Sequence, residues 1–161
     1  MTNQTIRLRN LEPSDYKPII AVVNDWWGGR QMTDMLPKLF FTHFKETAFV
    51  VEKDDQIIGF LCGFLSQTFP DEAYIHFVGV HPNLRKDGIG KILYEKFFDA
   101  ASSNNRSIVR CVTSTVNKTS IAFHLRMGFE ATVGDAIIDG VNVHTDYDGK
   151  GESRVVFMKR L

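Results

Sequence analysis

The chain has 161 residues, 43% of them apolar, 24% charged and 12% aromatic, which fits one domain over residues 1–161. Lys and Arg number 19 against 19 Asp and Glu, so the formal net charge is zero. That balance excludes the basic footprint of a nucleic-acid-binding protein, and with this apolar content it excludes bulk disorder.

Only two cysteines occur, Cys62 and Cys111, each among apolar neighbours. They are too few for a disulfide scaffold or zinc ribbon and read as small core residues, so no metal is expected. The N-terminus is polar and leads into a strand-like run, with no signal peptide. The longest apolar run, Ile57 to Leu65, is broken by Gly59 and Gly63 and falls far short of the roughly 20 residues of a membrane helix. These features lead to the expectation of a soluble, cytoplasmic protein with neither a membrane nor a nucleic-acid partner.

Thr5 to Leu11 alternates Ile6 and Leu8 with Arg7 and Arg9, the pattern of a first strand. Pro13, Ser14 and Asp15 start a helix, and Ile19, Val22, Val23, Trp26 and Trp27 form its apolar stripe up to Gly28-Gly29. A second helix is expected from Leu36 to Phe44. Ala48 to Lys53 and Gln56 to Ser66 form a hairpin about Asp54-Asp55. Ala73 to His81 is a strand stopped by Pro82, Gly88 to Asn104 a helix, Ser107 to Ser114 a strand and Asn117 to Met127 a helix. Phe129 to Ile138 and Arg154 to Leu161 are expected as closing strands around a polar, Gly- and Asp-rich loop. The order predicts an α/β (α+β) fold, a mixed twisted sheet with helices on its faces.

The chemistry concentrates where the Ala73–His81 strand gives way to a helix, at Arg85-Lys86-Asp87-Gly88-Ile89-Gly90-Lys91. Gly88 and Gly90 let main-chain amides approach a ligand, and the helix N-terminus adds unpaired donors and a positive dipole end. Arg85, Lys86 and Lys91 bring three cations to a site suited to a pyrophosphate. A helix start with incidental glycines and a solvated basic turn is the plainer alternative. No Gly-Lys-Ser/Thr follows, and position 93 is Leu, so neither a P-loop nor a dinucleotide fingerprint is completed.

Arg85-Lys86-Asp87-Gly88-Ile89-Gly90, set just after Val78-Gly79-Val80-His81-Pro82, resembles the Gln/Arg-x-x-Gly-x-Gly/Ala motif of the GNAT superfamily, the acyl-CoA-dependent N-acetyltransferases. Asn117, Ser120, Ala122, Phe123 and Met127-Gly128-Phe129 resemble that family's helix ending in a Gly-Phe pair. Val51-Glu52 through Ile57-Ile58-Gly59-Phe60 resembles its central hairpin. The resemblance covers nearly the whole chain and implies the GNAT fold, a mostly antiparallel sheet of six to seven strands with about four helices.

The resemblance implies acetyl-CoA as co-substrate. Val78 and Val80 then pair through their main chain with the pantetheine arm, and a main-chain amide near Gly79 or Val80 meets the thioester carbonyl. Arg85, Lys86, Asp87, Gly88, Ile89, Gly90 and Lys91 hold the pyrophosphate through backbone amides. Asn117, Ser120 and Phe123 flank the cofactor. Two positions depart from the pattern. Asp87 stands where the family is usually basic or small, and His124 stands where a Tyr commonly protonates the leaving thiolate. An imidazolium, with a reference pKa of about 6.5, can give that proton, and a histidine merely tolerated there is the alternative.

The amine acceptor must lose a proton before it attacks. Tyr74, His76 and Val78 are expected to alternate onto one face of the strand. Tyr74 holds a position where some members carry Glu, and His76 resembles the strand histidines of some arylalkylamine acetyltransferases. Asp71 and Glu72 are further candidates for the base. Trp26, Trp27 and Arg30, with Tyr147 in the last loop, are candidates to line the acceptor pocket, and the tryptophans favour a small-molecule amine over a protein. The implied reaction is direct attack in a ternary complex by a primary amine, because neither cysteine has a recognisable partner for a covalent route. A non-catalytic acyl-CoA-binding module or sensor is the alternative, kept open by His124 and by the lack of Glu at position 74. A homodimer is suggested by the resemblance alone.

Overall fold

In a computed structural model describing residues 5–161, nine strands and four helices follow the expected order. The polar stretch 1–4 lies outside the described residues. The elements are β1 (Ile6–Asn10), α1 (Tyr16–Trp26), α2 (Leu39–His43), β2 (Phe49–Lys53), β3 (Gln56–Leu65), β4 (Glu72–Val80) and α3 (Ile89–Ser103). There follow β5 (Ile108–Ser114), α4 (Lys118–Arg126), β6 (Glu130–Ala131), β7 (Ala136–Ile138), β8 (Val141–Val143) and β9 (Arg154–Arg160). Asp54 and Asp55 both take positive φ, +53° and +62°, which closes the β2–β3 hairpin without a glycine.

Seven strands form one sheet in the order β1-β2-β3-β4-β5-β9-β6. Among the described strands only β4 and β5 pair in parallel. A helical connection joins them, as a parallel pair requires. α3 covers one face, packing Leu93 and Phe97 over Val51, Leu61, Ile75 and Phe157. α1 and α2 cover the β1–β4 half of the other face, packing Ile19, Val23 and Phe41 over Val50 and Phe60. No helix among the described residues is long and apolar enough to cross a membrane.

The first strand lies where expected, as β1 at the sheet edge, with Ile6 and Leu8 exposed. Two expectations need correction. The second helix begins at Leu39 rather than Leu36, because the residue before Pro37 is pushed out of helical geometry while its side chain stays buried. The strand expected from Phe129 to Ile138 is interrupted at residues 132–135. Its second half turns at Asp139-Gly140, both with positive φ, into the separate β7–β8 hairpin.

β1 is tied to the start of α1 by ions. Arg9 grips Asp15 with two bonds, at 2.8 and 2.9 Å, and also reaches Glu52 at 2.6 Å. Burial pushes the Asp15 carboxyl up, but the Arg9 bond, the Glu12 amide and the Arg9 charge together hold it below its ordinary range. A depressed carboxyl stabilises the fold above its unfolded pKa of about 3.9 and loses that contribution as pH falls through the folded value. Asp15→Asn is therefore expected to cost about 2 kcal/mol at pH 7, the scale of lost charge-assisted bonds. Urea melts should show the gap narrowing below about pH 4; a pH-independent gap would contradict the ion-pair origin.

Candidate active site

A bulge in β4 sets the geometry. Cys62 pairs with Phe77 but Gly63 pairs with Ile75, so His76 is the extra residue on β4. Before it, Ala73 and Ile75 face α3; after it, Phe77 joins the α1–α2 core while Val78 and Val80 turn toward α3. Tyr74, His76 and Val78 therefore do not share one face, as simple alternation required. β4 and β5 pair only through Glu72–Tyr74 and Ile108–Arg110 and then separate.

The separation exposes main-chain groups. His81 N–H donates to Ile58 O at 2.8 Å, so in this antiparallel ladder His81, Gly79 and Phe77 are the residues bonded to β3. The N–H and C=O groups of Val78 and Val80 consequently point toward β5, into the gap. Of the two amides expected to meet a thioester, Val80 faces the gap and Gly79 does not. Gly79 serves packing instead, since a β-carbon there would lie 2.5 Å from Phe60 and 3.2 Å from Trp27.

At one end of the gap lies the glycine turn. Gly88 caps α3 with φ +80°, and open space surrounds it. The first-turn amides of Ile89, Gly90 and Lys91 have no intrahelical acceptor and sit at the positive dipole end. Gly90 fits under the Phe123 ring, which a β-carbon would approach to 3.4 Å. Lys86 and Asp87 are exposed, and Lys91 lies 3.9 Å from Glu95. Arg85 departs from expectation: its side chain folds back to the Trp26 carbonyl at the end of α1 and to Val80 O at 3.4 Å. It braces the turn rather than lending its charge to an anion.

α4 borders the gap from the other side. Asn117 caps it, its side-chain oxygen accepting from Ser120 N–H at 3.1 Å, and Thr113 donates to Ser120 Oγ at 3.2 Å. His124 lies beneath, only 6% exposed, with its ring stacked on Phe157 at 4.8 Å. The Ser120 carbonyl, 2.7 Å from Nδ1, can only accept, so Nδ1 carries the proton. Nε2 then accepts from the Tyr94 hydroxyl at 2.8 Å. Burial lowers the His124 pKa despite the Ser120 bond. A neutral ring with both nitrogens engaged has no proton to give, so the geometry speaks against the thiolate-protonating role read from sequence. His124→Phe should leave turnover within about twofold while lowering stability by about 1–3 kcal/mol, because Tyr94 loses its acceptor. A large fall in kcat at unchanged acetyl-CoA affinity would restore the acid role.

The opposite face of β4 carries the other candidates. His76 stacks on Phe40 at 4.3 Å, nearly parallel, and its Nε2–H donates to Met35 O at 2.6 Å. Nδ1 is left with a lone pair and no partner among the described residues. Burial lowers the His76 pKa and the Met35 bond only partly offsets it, so the ring is neutral at pH 7. Burial also pushes the Tyr74 hydroxyl well above its ordinary value, with Tyr147 adding to the rise, which keeps a phenolate base out of reach. Glu72 is likewise occupied, paired with Arg110 at 2.7 Å.

Trp26 is core, 6% exposed and stacked with Phe60. Trp27 is half-buried over Phe77 and Gly79 on the α1–α2 side. Arg30 is exposed, with no side-chain partner among the described residues. Tyr147 does border a cavity of about 370 Å³, together with Tyr74, Phe64, Glu72, Arg110 and Val156. It occupies the β4–β5–β9 half of the sheet that α1 and α2 leave bare.

The profile of the acetyltransferase (GNAT) family matches residues 8–129. The chain belongs to the GNAT acetyltransferase family. A curated GNAT relative, the L-2,4-diaminobutyric acid acetyltransferase of Nocardia farcinica, is 31% identical over 84 residues, covering 52% of this chain. The chain spans less than half the length of the curated relatives it matches, 38% and 44%. Ard1 from Thermoplasma volcanium superposes with a TM-score of 0.78 at 19% identity, over 97% of each chain. The diaminobutyrate acetyltransferase EctA of Paenibacillus lautus, solved with L-2,4-diaminobutyric acid and coenzyme A, gives 0.70 at 17% identity, over 98% of this chain and 96% of its own. At these identities the two structures show the GNAT fold alone.

Within this GNAT chain, sequence reasoning missed three partners that define the site. Tyr94 holds His124, Met35 O orients His76, and Arg110 pairs with Glu72. Each lies 30 or more positions from its partner, so no local spacing signals it.

Proposed function

We propose that this GNAT protein transfers an acetyl group from acetyl-CoA to a small primary amine by direct attack in a ternary complex. The observation that carries this reading is the gap beyond Tyr74. Its β4 wall presents the Val78 and Val80 main-chain groups, its α3 end presents free amides at Gly88–Lys91, and His76 stands on the opposite face of β4. A thioester arm can pair along Val78 and Val80 as an added strand does. Pyrophosphate suits the amides of the Gly88 turn, with Lys86 and Lys91 as the nearby cations and Asp87 free to turn outward. Asn117, Ser120 and Phe123 form the α4 border. The acetyltransferase activity carried in the names of the Nocardia and Paenibacillus proteins supports a donor and acceptor of this kind.

In the proposed reaction the amine nitrogen attacks the thioester carbonyl carbon as His76 Nδ1 takes the amine proton. The C–N bond forms, the C–S bond breaks, and coenzyme A leaves as a thiolate that takes its proton from solvent. The Val80 amide, facing the gap, stabilises the charge that develops on the carbonyl oxygen. A covalent route through cysteine is disfavoured. Cys62 and Cys111 are buried, and burial pushes the Cys62 thiol up to about 12.

The test is CoA release from acetyl-CoA with a panel of amines, both substrates varied. Intersecting double-reciprocal lines are expected. Thermal stabilisation by acetyl-CoA without release in the presence of any amine would instead favour a sensor. Parallel lines would indicate an acyl-enzyme and overturn the ternary complex.

A further inference from the structure

The cavity of about 370 Å³ on the bare half of the sheet has a built polar floor. Arg110 and Glu72 meet across the parallel β4–β5 pair, with Arg110 Nε donating to Glu72 Oε1 at 2.7 Å. The bond fixes the guanidinium by one edge. Its Nη1 and Nη2 have no partner among the described residues, and a third of the side chain is exposed. That remaining edge is the fork that binds a carboxylate with two parallel bonds. Around it stand Phe64 and Tyr74, stacked at 5.3 Å, with Phe69 and Tyr147 at the rim. The Tyr74 hydroxyl has no hydrogen-bond partner among the described residues and stays a neutral donor.

Position adds the second half of the argument. Tyr74 and Arg110 form the last paired step before β4 and β5 separate. His76, the proposed base, is two residues farther along β4 on the same face, about 7 Å at roughly 3.3 Å per residue. We infer that the acceptor is an amino carboxylate whose amine and carboxylate are separated by a short aliphatic spacer, with Arg110 as the residue that selects for the carboxylate. The Arg110 Nη edge and the Tyr74 hydroxyl hold the carboxylate, the aromatic walls cover the spacer, and the amine reaches the gap beside His76. With carbon–carbon bonds of about 1.5 Å, about three or four carbons bridge that distance, which excludes α-amines of simple amino acids. A plain alkylamine leaves the fork unpaired and loses that binding.

This inference rests on the acetyltransferase reading, so its test has a binding arm independent of turnover. Calorimetry compares 4-aminobutyrate with n-propylamine, which differ only by the carboxylate, on the wild-type protein, Arg110→Gln and Arg110→Lys. The wild type should bind 4-aminobutyrate at least about tenfold tighter than n-propylamine. Arg110→Gln should bring that ratio near one, and Arg110→Lys should restore it in part. The double variant Glu72→Gln/Arg110→Gln, which leaves no stranded carboxylate, serves if Arg110→Gln alone fails to fold. In turnover, the ratio of KM values should move in parallel, and glycine should be a poor acceptor. Equal binding of the two probes, or an unchanged ratio in the Arg110 variants, overturns the inference even if amines are acetylated. Arg110-dependent binding without CoA release would uphold the carboxylate site and overturn the transferase reading.

Discussion

Gly88→Glu is expected to reduce acetyl-CoA affinity by about a hundredfold, near 2.8 kcal/mol, while the chain stays folded. Gly88 takes φ +80° at the N-cap of α3, and no atom lies within 4 Å of a β-carbon built there. A side chain is thus accommodated sterically, at a left-handed conformational cost of about 1–2 kcal/mol. The affinity loss has another origin. A carboxylate at the cap sits against the first-turn amides, competes for them and repels the incoming phosphates. One charge-assisted hydrogen bond lost accounts for about 1.5–3 kcal/mol, and like-charge repulsion adds to it. Gly88→Ala separates the two contributions, since it carries the same strain without the charge and should weaken binding less than about tenfold. Calorimetry with acetyl-CoA decides the matter. Equal losses in both variants would assign the effect to backbone strain, and no loss in either would remove the glycine turn from the site.

His76→Gln should lower kcat by about 10²–10³ with acetyl-CoA affinity unchanged, the usual range for loss of a positioned base. Glutamine keeps an N–H donor for the Met35 carbonyl, so it preserves the local bond while removing the Nδ1 lone pair. The pH profile supplies a sharper signature. Burial disfavours the imidazolium, and the Met35 bond offsets this only in part, so His76 loses its proton below its ordinary pKa of about 6.5. In the wild type kcat should therefore fall only below about pH 6.5, as His76 becomes protonated and can no longer accept. The Gln variant should lack that limb. A wild-type-like limb in the variant would assign the titration to another group and return His76 to a packing role.

How far these features can be read from sequence depends on how local their causes are. The Gly88 turn was legible because a strand end, Pro82 and two glycines fall within ten residues. The two core cysteines were legible from their apolar flanks. The β4 bulge was not, because Ile75, Phe77, Val78 and Val80 are all apolar and do not tell one core from the other, and the extra residue exists only relative to the β3 register. It is the bulge that turns Val78 toward α3 and leaves His76 against Phe40. The surroundings of His124 were not legible for a related reason: Tyr94 and Phe157, which hold it in the core, are distant in sequence. Asp139-Gly140 is a full local turn signal, but it lies in a polar, Gly- and Asp-rich stretch whose composition reads as loop.

Everything proposed for the site depends on where acetyl-CoA binds, and hydrogen–deuterium exchange with and without acetyl-CoA measures that most directly. Binding along the gap should slow exchange at the amides of Val78 and Val80 and of Gly88 to Lys91. β1, at the sheet edge three strands from β4, should exchange at an unchanged rate. Protection confined to other segments, or none at saturating acetyl-CoA, would contradict the assignment of the β4–β5 gap as the acyl-CoA site.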